Sequence, residues 1–364
     1  MSFTEFDQAM MARALELAAR GLYTTDPNPR VGCVLVRDGA VVGEGWHVRA
    51  GQPHAEPQAI AAAGERAKGA TAYVSLEPCN HHGRTPPCTD ALIQAGVARV
   101  VYGARDPNPR VSGAGEERLR AAGIEVAGGL LEAQSRELNC GFMKRMETGL
   151  PWVRVKLAMS LDGRTALANG ESRWITTDAA RQDAQRYRAR SSAIVTGIGT
   201  VLGDDPAMNV RLPGSDRQPW RVVLDSTLRT PPDSRIVGQE GQVLVLGTRD
   251  DAARRAALES KAVLVELLPA AASRLPLREV LLRLGRLEMN EVWVEAGPTL
   301  AGAFVREGLY DELVVYIAPS LIGGDALPLL QLPGITSLDE RLRLQFTDIC
   351  AVGDDLRVTL RPRR

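Results

Sequence analysis

The apolar positions near the start of the chain recur at the spacing of an amphipathic helix. A buried stripe is predicted for Met10, Met11, Ala14, Leu15 and Ala18. Thr4 and Asp7 precede the stripe with the spacing of a capping box, and Gly21 follows it as a stop signal. We therefore predict a first helix between Thr4 and Gly21.

After this helix, short apolar runs alternate with helical stretches. Two runs flank Asp38-Gly39, which favours a β-hairpin over residues 31–47, and Pro53 opens a helix that ends at Gly69. The remaining predicted elements of this half are strands at 71–78 and 99–104 and helices at 89–96 and 116–123. Strands that alternate with helices indicate an α/β sandwich with a largely parallel sheet.

A second unit begins around Gly149 and shows the same alternation. Strand-like runs are found at 151–163, 193–199, 221–226, 242–248, 262–267, 291–297 and 312–319. A helix is expected within residues 172–191, and other helical stretches lie between several of the strands. The length of 364 residues suits two domains. We predict α/β domains over residues 1–148 and 149–364.

Charge and hydropathy narrow the classes of function. Lys plus Arg and Asp plus Glu both total 44, so the formal net charge is zero, which disfavours a protein that binds nucleic-acid phosphates. No apolar run approaches the ~20 residues that span a bilayer, and the first residues lack the basic flank of a signal peptide. We expect a cytoplasmic protein that acts on a small molecule.

Histidine and cysteine point to a site in the first third of the chain. The four histidines lie within 36 consecutive residues. The five cysteines are sparse and odd in number, which disfavours a disulfide framework. Their positions suggest chemistry instead, because Cys79 follows a predicted strand and Cys88 precedes a predicted helix.

Three of these side chains suit a catalytic zinc ion. His54, Cys79 and Cys88 supply one imidazole and two thiolates, and catalytic zinc takes three protein ligands and keeps one open position. Glu56 lies in the same first helical turn as His54, close enough to move protons. The pattern H-x-E followed by P-C-x₂-C is typical of nucleobase deaminases, although here eight residues separate the cysteines. A closed structural zinc site is the alternative.

Several longer motifs resemble one family, the bifunctional riboflavin biosynthesis deaminase–reductases. Three segments resemble the deaminase half of that family: PNPRVGCVLV (27–36), GWHVRAGQPHAE (45–56) and EPCNHHGRTPPC (77–88). Four segments resemble its reductase half: KLAMSLDGR (156–164), GESRWIT (170–176), TVLGDDPAMNVR (200–211) and EAGPTLAGAF (295–304). The chain departs from the family at Asn80, where serine is usual, and at Gln58, where histidine is frequent.

The resemblance implies a cytidine-deaminase-like α/β/α domain followed by a dihydrofolate-reductase-like α/β domain. It implies zinc-dependent hydrolytic deamination of 2,5-diamino-6-ribosylamino-4(3H)-pyrimidinone 5′-phosphate, with Glu56 as the catalytic proton carrier and His54, Cys79 and Cys88 as zinc ligands. Reduction of the ribosyl group by NADPH would then give 5-amino-6-ribitylaminouracil 5′-phosphate. Substrate contacts in the deaminase half would be Asn28, His47, His81 and Arg84.

The reductase half lacks the dinucleotide pattern G-x-G-x-x-G, because Gly197, Gly199 and Gly203 are spaced one residue too widely. A glycine-containing turn at 295–302 follows a strand and opens a helix, which suits a pyrophosphate. The NADPH contacts that the resemblance implies are Ala158, Trp174, Thr200, Asp204, Ser226, Gly297, Pro298, Thr299, Leu300, Ala301, Gly302 and Ala303. The substrate contacts that it implies are Lys156, Ser172, Arg188, Met208, Arg211 and Glu295.

Two questions stay open at this point. A nucleic-acid-editing or nucleoside deaminase with an accessory binding domain is the alternative function. The hexapeptide DPNPRV occurs at 26–31 and 106–111, either as two similar turns or as two borders of one pocket. Finally, we expect a homo-oligomer that forms through the reductase domain.

Overall fold

A computed structural model describes residues 3–80, 86–108, 113–215, 217–269 and 274–363. The chain forms two compact units, Met1–Leu150 and Pro151–Arg364. The predicted boundary after residue 148 lies just before this division. Within the described ranges, no helix combines the length and the apolar character that crossing a bilayer requires.

The first unit consists of one five-stranded sheet between helices. Its helices are α1 (Glu5–Ala19), α2 (Ala55–Ala63), α3 (Cys88–Ala95), α4 (Ala114–Ala121), α5 (Glu132–Leu138) and α6 (Cys140–Thr148), with a 3₁₀ turn at Gly64–Ala67. Its strands are β1 (Gly32–Arg37), β2 (Ala40–Trp46), β3 (Thr71–Leu76), β4 (Arg99–Ala104) and β5 (Glu125–Gly128). Apolar side chains of α2, α3 and α4 pack on one face, and those of α1 pack on the other.

The strand order is β2-β1-β3-β4-β5, and the sheet is mixed rather than largely parallel. β1 pairs antiparallel with both β2 and β3, whereas β3, β4 and β5 are parallel. The tight turn at Asp38 and Gly39, with φ of 53° and 76°, joins β1 to β2 and enforces their antiparallel pairing. The predicted hairpin is confirmed. The expectation of a largely parallel first sheet is wrong.

Helix α1 begins as the sequence indicates. The Thr4 hydroxyl accepts the amide of Asp7, and the Asp7 carboxylate accepts the amide of Thr4, so the capping box is confirmed. The buried stripe differs from the prediction at three positions. Leu17 is fully buried, whereas Met10 and Leu15 are only half-buried. Because Leu17 directly precedes Ala18, two adjacent positions are buried, and the buried face of α1 is wider there than the predicted stripe.

Glycine allows α2 to lie directly on β2. A Cβ at Gly43 would stand 2.2 Å from the carbonyl oxygen of Ala59, and one at Gly45 would stand 2.4 Å from that of Ala55. No side chain fits at either position. This close approach fixes the start of α2, where His54 and Glu56 lie, relative to the sheet.

The second unit is a larger open sheet with helices. Its helices are α7 (Asp178–Arg190), α8 (Ile198–Asp204), α9 (Arg235–Gly238), α10 (Ala252–Glu259), α11 (Leu277–Arg286) and α12 (Pro298–Arg306), with a 3₁₀ turn at Leu338–Glu340. Its strands are β6 (Trp152–Ser160), β7 (Arg164–Ala166), β8 (Ala193–Gly197), β9 (Trp220–Leu224), β10 (Val243–Gly247), β11 (Leu264–Leu267), β12 (Glu291–Glu295), β13 (Glu312–Ala318), β14 (Leu327–Pro328), β15 (Leu344–Val352) and β16 (Asp355–Pro362).

Nine of these strands form one sheet in the order β11-β10-β9-β8-β12-β6-β13-β16-β15. The seven strands from β11 to β13 are parallel, and only β16 and β15 run antiparallel to their neighbours. β7 and β14 form a separate two-stranded sheet. In a parallel sheet all carboxyl ends lie at one edge, where open α/β sheets bind their ligands.

Candidate zinc, cofactor and substrate sites

Three ends of secondary structure bring the predicted zinc ligands together. His54 is the N-cap residue of α2, and Cys88 is the first residue of α3. Cys79 follows the carboxyl end of β3. Because β3 lies inside the sheet and both helices pack on the same face of it, the three side chains converge.

The spacing of the three ligand atoms suits a zinc ion. The Nδ1 atom of His54 lies 3.3 Å from the Sγ of Cys88 and 3.6 Å from the Sγ of Cys79. Tetrahedral zinc with ordinary bond lengths would separate a nitrogen from a sulfur ligand by about 3.6 Å. All ligand atoms lie within 4.8 Å of one another, and in the described part of the chain no other group of histidine, cysteine and acidic side chains is so compact.

The electrostatics of this site favour a thiolate. Hydrogen bonds from the Cys88 thiol and from His54 lower the pKa of the Cys79 thiol to about 4, although burial opposes its ionisation. The backbone amide of Cys88 also donates to the Cys79 sulfur, over 3.4 Å. A deprotonated sulfur is the form that binds zinc.

Glu56 lies beside the ligands without joining them. Its side chain is buried, and burial together with the negative charge at Cys79 raises the pKa of the Glu56 carboxyl. A carboxyl group in such an environment changes its protonation state more readily than an exposed one does near neutral pH. The arrangement suits a group that accepts and donates protons.

The first DPNPRV turn contacts this site through a histidine. The Nδ2 atom of Asn28 lies 3.1 Å from the Nε2 of His47, whose Nδ1 lies 3.2 Å from the carbonyl oxygen of Pro53. The His47 ring meets the His54 ring edge-on, with 5.1 Å between centroids. Burial lowers the pKa of His47, so its neutral form is favoured. A contact from His47 to a phosphate would therefore have to be made mainly by a neutral ring.

Asp106, the first residue of the second DPNPRV copy, is held by a buried carboxylate that was not predicted from the sequence. Glu77 accepts the backbone amides of Asp106, Gly113 and Glu116 over 3.2–3.4 Å. Since Glu77 lies two residues before Cys79, the start of this copy at Asp106 is tied to the segment that positions a zinc ligand. Residues 109–111 of the copy lie outside the described residues. The sequence contains one signal for Glu77, because it is an acidic residue directly after a buried strand.

Asn80 and Gln58, the two positions at which the chain departs from the family, form hydrogen bonds within the first unit. Asn80 accepts the Thr89 hydroxyl and donates to the carbonyl oxygen of Ala114. Gln58 donates to the carbonyl oxygens of Trp46 and Pro53. The predicted phosphate contacts His81 and Arg84 lie outside the described residues.

In the second unit, three predicted substrate contacts form a charged cluster at the carboxyl edge of the sheet. Glu295, the last residue of β12, is paired in register with Lys156 of β6. Arg188 of α7 donates Nε and Nη2 to the two carboxylate oxygens of Glu295, over 2.6 and 2.7 Å. Burial opposes the ionisation of Glu295, but Arg188 outweighs it and the pKa is about 2. Burial and the Arg188 charge lower the pKa of Lys156.

Of the other predicted substrate contacts, Met208 lies against Arg188 of this cluster. Met208 is buried, and its backbone has a φ of 47°. Arg188 donates to the carbonyl oxygen of Asn209, next to Met208. Arg211 is exposed and donates to the Asn209 side chain. Ser172 is half-buried in the segment before α7. The indole of Trp293, which the sequence argument did not name, donates to Glu295 over 2.6 Å.

Two helix N-termini lie side by side at this edge, where contacts to NADPH are predicted. α8 begins directly after β8, and α12 begins with Pro298 shortly after the neighbouring strand β12. A Cβ at Gly197 would stand 3.1 Å from Leu300, so the two helix starts are in close contact. First-turn amides have no acceptor within their own helix, and the helix dipole favours an anion there.

The remaining predicted cofactor contacts are distributed over several elements of this unit. Trp174 is 69% exposed, and the Arg181 guanidinium lies 4.3 Å from its ring centroid. Thr200 lies in α8, whose last residue is Asp204. Ala158 lies in β6, and Ser226 follows the carboxyl end of β9. The predicted segment Gly297–Ala303 comprises the N-cap and first six residues of α12, where Thr299 donates to Gln331.

Two protein families match the chain in the order of its two units. The cytidine and deoxycytidylate deaminase zinc-binding region matches residues 4–104. The RibD C-terminal domain matches residues 151–358, more than half of the chain.

Relatives match over nearly the full length. The riboflavin biosynthesis protein RibD of Escherichia coli is 52% identical, over 96% of this chain and 98% of its own length. The RibD protein of Haemophilus influenzae is 46% identical, over 100% of this chain and 99% of its own length. The chain belongs to the RibD family of riboflavin biosynthesis proteins.

Solved RibD structures have the same fold. Acinetobacter baumannii RibD superposes with a TM-score of 0.93 at 46% identity, over 99% of both chains. A Thermotoga maritima deaminase/reductase superposes with a TM-score of 0.87 at 33% identity, over 98% of this chain and 99% of that one. The predicted two-part fold is confirmed. The chain is a bifunctional riboflavin biosynthesis enzyme with deaminase and reductase activities that uses zinc and NADPH.

Proposed function

We propose that the chain first deaminates 2,5-diamino-6-ribosylamino-4(3H)-pyrimidinone 5′-phosphate and then reduces its ribosyl group, yielding 5-amino-6-ribitylaminouracil 5′-phosphate. The Thermotoga maritima relative is described as a diaminohydroxyphosphoribosylaminopyrimidine deaminase and 5-amino-6-(5-phosphoribosylamino)uracil reductase. The single observation that supports the first step most directly is the convergence of His54, Cys79 and Cys88 beside the buried Glu56 carboxyl. We assign deamination to the domain of residues 1–148 and reduction to the domain of residues 149–364.

In the deaminase, zinc held by His54, Cys79 and Cys88 would lower the pKa of a water molecule to about 7 and so supply the nucleophile. Glu56 takes up the proton that this water loses and delivers protons to the ring nitrogen and the departing ammonia. Asn28 binds the pyrimidine edge, and His47, His81 and Arg84 bind the phosphate. In that role His47 donates one hydrogen bond to a phosphate oxygen, and Arg84 provides the fixed positive charge.

In the reductase, NADPH would supply a hydride to C1′ of the opened ribosyl group, and a proton from Lys156, Asp204 or water would complete the reduction. The N-termini of α8 and α12 bind its pyrophosphate, with Ala158, Trp174, Thr200, Asp204 and Ser226 as further contacts. Glu295 and Lys156 face the substrate, and Arg211 binds its phosphate, with Ser172 and Met208 beside them. Because Glu295 already neutralises Arg188, we assign Arg188 to holding Glu295 in place as well as to the substrate.

Two assays test this function and separate it from the alternatives. Ammonia release should follow addition of the diaminopyrimidine ribotide and should not follow addition of cytidine or tRNA. Release from tRNA would support a nucleic-acid-editing deaminase instead. Chelation of zinc should abolish ammonia release but leave NADPH oxidation with the already deaminated ribosyl substrate. Loss of both activities on chelation, with the fold intact, would argue for one shared site.

We also propose a cytoplasmic homo-oligomer that forms through the reductase domain and binds no nucleic acid. β15 is the last strand of the described sheet, and three apolar side chains on one face of the β15–β16 pair are largely exposed: Phe346, Ile349 and Leu356. Light scattering after size exclusion should give a mass of at least two chains, and Phe346→Asp should reduce it. A wild-type mass of one chain at micromolar concentration would contradict the oligomer.

A further inference from the structure

The loop after β9 (residues 225–234) and the loop after β10 (residues 248–251) lie together beside the proposed NADPH site, and we call this surface the polar ledge. β9 and β10 are parallel neighbours, so Ser226 and Arg249 leave the same edge of the sheet on adjacent strands, which lie about 5 Å apart. The carbonyl oxygen of Ser226 accepts the backbone amides of Thr248 and Arg249, over 3.2 and 3.0 Å. These bonds fix the backbone of Arg249 next to Ser226.

Close packing beneath the ledge keeps the two loops together. A Cβ at Gly247 would stand 2.9 Å from Leu228 and 3.2 Å from the carbonyl oxygen of Asp225. The loop after β9 therefore lies directly against the end of β10. The position of Arg249 is set by the sheet edge rather than by the length of a free loop.

Arg249 differs from the other arginine of the ledge and from the arginines at the start of α10, which follows the ledge. Arg229 lies 3.8 Å from Asp225, Arg254 lies 3.3 Å from Asp251, and Arg255 pairs with Asp250. Arg249 is exposed, and no acidic side chain in the described ranges forms an ion pair with it. The two acidic residues that follow Arg249 are each neutralised by an arginine of α10. Arg249 is thus the unneutralised cation of the ledge.

The ledge offers a ribose no free carboxylate. In Rossmann-fold enzymes an acidic side chain binds the ribose 2′-hydroxyl of NAD, whereas an arginine near the same position accommodates the 2′-phosphate of NADP, and the same chemistry applies at this edge. Asp225, at the end of β9, is fully buried, and its Oδ2 accepts both the amide and the hydroxyl of Thr230. It is therefore shielded from solvent and already engaged by Thr230.

We propose that Arg249 binds the 2′-phosphate of NADPH and makes the reductase specific for NADPH over NADH. The inference rests on the proposed contact between Ser226 and the cofactor, because that contact places the adenosine ribose over the ledge. A guanidinium group matches a phosphate through two parallel hydrogen bonds, which a ribose hydroxyl cannot accept.

Binding of adenosine phosphates to the full-length zinc-loaded protein tests the proposal independently of catalysis. By titration calorimetry, Arg249→Ala should weaken 2′,5′-ADP about 10- to 100-fold and leave 5′-AMP within about 2-fold, since a charged hydrogen bond is lost only for the first ligand. Arg249→Lys should recover part of the loss. In kinetics, KM should rise for NADPH and not for NADH.

Arg286→Ala is the matched control. Arg286 is an exposed arginine at the end of α11, shortly before β12 begins, and so lies toward the opposite edge of the sheet. This variant should bind 2′,5′-ADP as the wild type does. Equal 2′,5′-ADP binding by wild type and Arg249→Ala would overturn the role of Arg249 alone. If the wild type bound neither NADPH nor 2′,5′-ADP, the reductase assignment would fall together with it.

Discussion

Arg188 and Glu295 lie 107 residues apart in the chain and form a two-point ion pair, with N–O distances of 2.6 and 2.7 Å. Their side chains are only 12% and 13% exposed. Water therefore compensates little for the loss of either partner. This pair joins α7 to the carboxyl end of β12 and shapes the proposed substrate site of the reductase.

Removal of one partner should destabilise the second unit. Glu295→Gln leaves the Arg188 charge uncompensated, which typically costs about 3–5 kcal/mol. Thermal unfolding followed by calorimetry should show a lower midpoint for the transition of this unit. The double variant Arg188→Met, Glu295→Gln should recover part of the loss, because no unpaired guanidinium remains between α7 and β12. A single variant as stable as the wild type would contradict the buried pair.

Acid should weaken the same contact. The pKa of Glu295 is about 2 in the folded protein and 4.5 ordinarily, so the folded carboxyl stays ionised where the unfolded one takes up a proton. Its contribution is complete above an unfolded pKa of 4.5 and is lost as pH falls from there toward 2. The stability difference between wild type and Glu295→Gln, measured by denaturant unfolding, should shrink between pH 6 and pH 3. A constant difference would mean that the charge is not responsible.

Metal content should depend on both cysteines of the site. Cys79→Ser and Cys88→Ser each replace a thiolate with a poor zinc ligand, so purified protein should lose most of its one zinc ion per chain by elemental analysis. Cys350→Ser, which changes a cysteine of β15, is the control and should retain zinc. Full zinc occupancy in the Cys88 variant would exclude Cys88 as a ligand.

Glu56 should matter for proton transfer and not for the metal. Glu56→Gln keeps the size of the side chain but cannot take up a proton, so deamination should fall at least ~10²-fold while zinc content and reductase activity persist. Glu65→Gln, an exposed change in the 3₁₀ turn after α2, should leave all three unchanged. Near-normal ammonia release by the Glu56 variant would place the proton carrier elsewhere.

The zinc site was predictable because its residues have local signals. His54 and Cys88 precede apolar helical stretches and Cys79 follows a buried strand, so the sequence marks each of them at an end of secondary structure. The reductase cluster was harder. Arg188 lies in a helix rich in arginine, where a solvated charge is usual, and only the fold brings it to Glu295. Its pairing depends on a contact between distant segments that no local pattern encodes.

The C-terminal hairpin was missed for a related reason. β15 and β16 alternate apolar and polar residues, but the apolar side chains Phe346 and Ile349 are exposed. A strand is easiest to recognise from sequence when its apolar residues form one buried face. In β15 the apolar face is not covered by any described part of the chain. The parallel core of the same unit was easy to predict, because strands buried on both faces are nearly continuous apolar runs.

Among the described residues, neither large sheet contains a strand from the other side of Leu150. β1 to β5 pair only with one another, and the strands of the nine-stranded sheet all follow Pro151. A break in the gene at this point would therefore leave both ladders of backbone hydrogen bonds whole. Each half could be inherited, duplicated or exchanged as a separate gene, and selection could adjust the rate of one reaction without rebuilding the scaffold of the other.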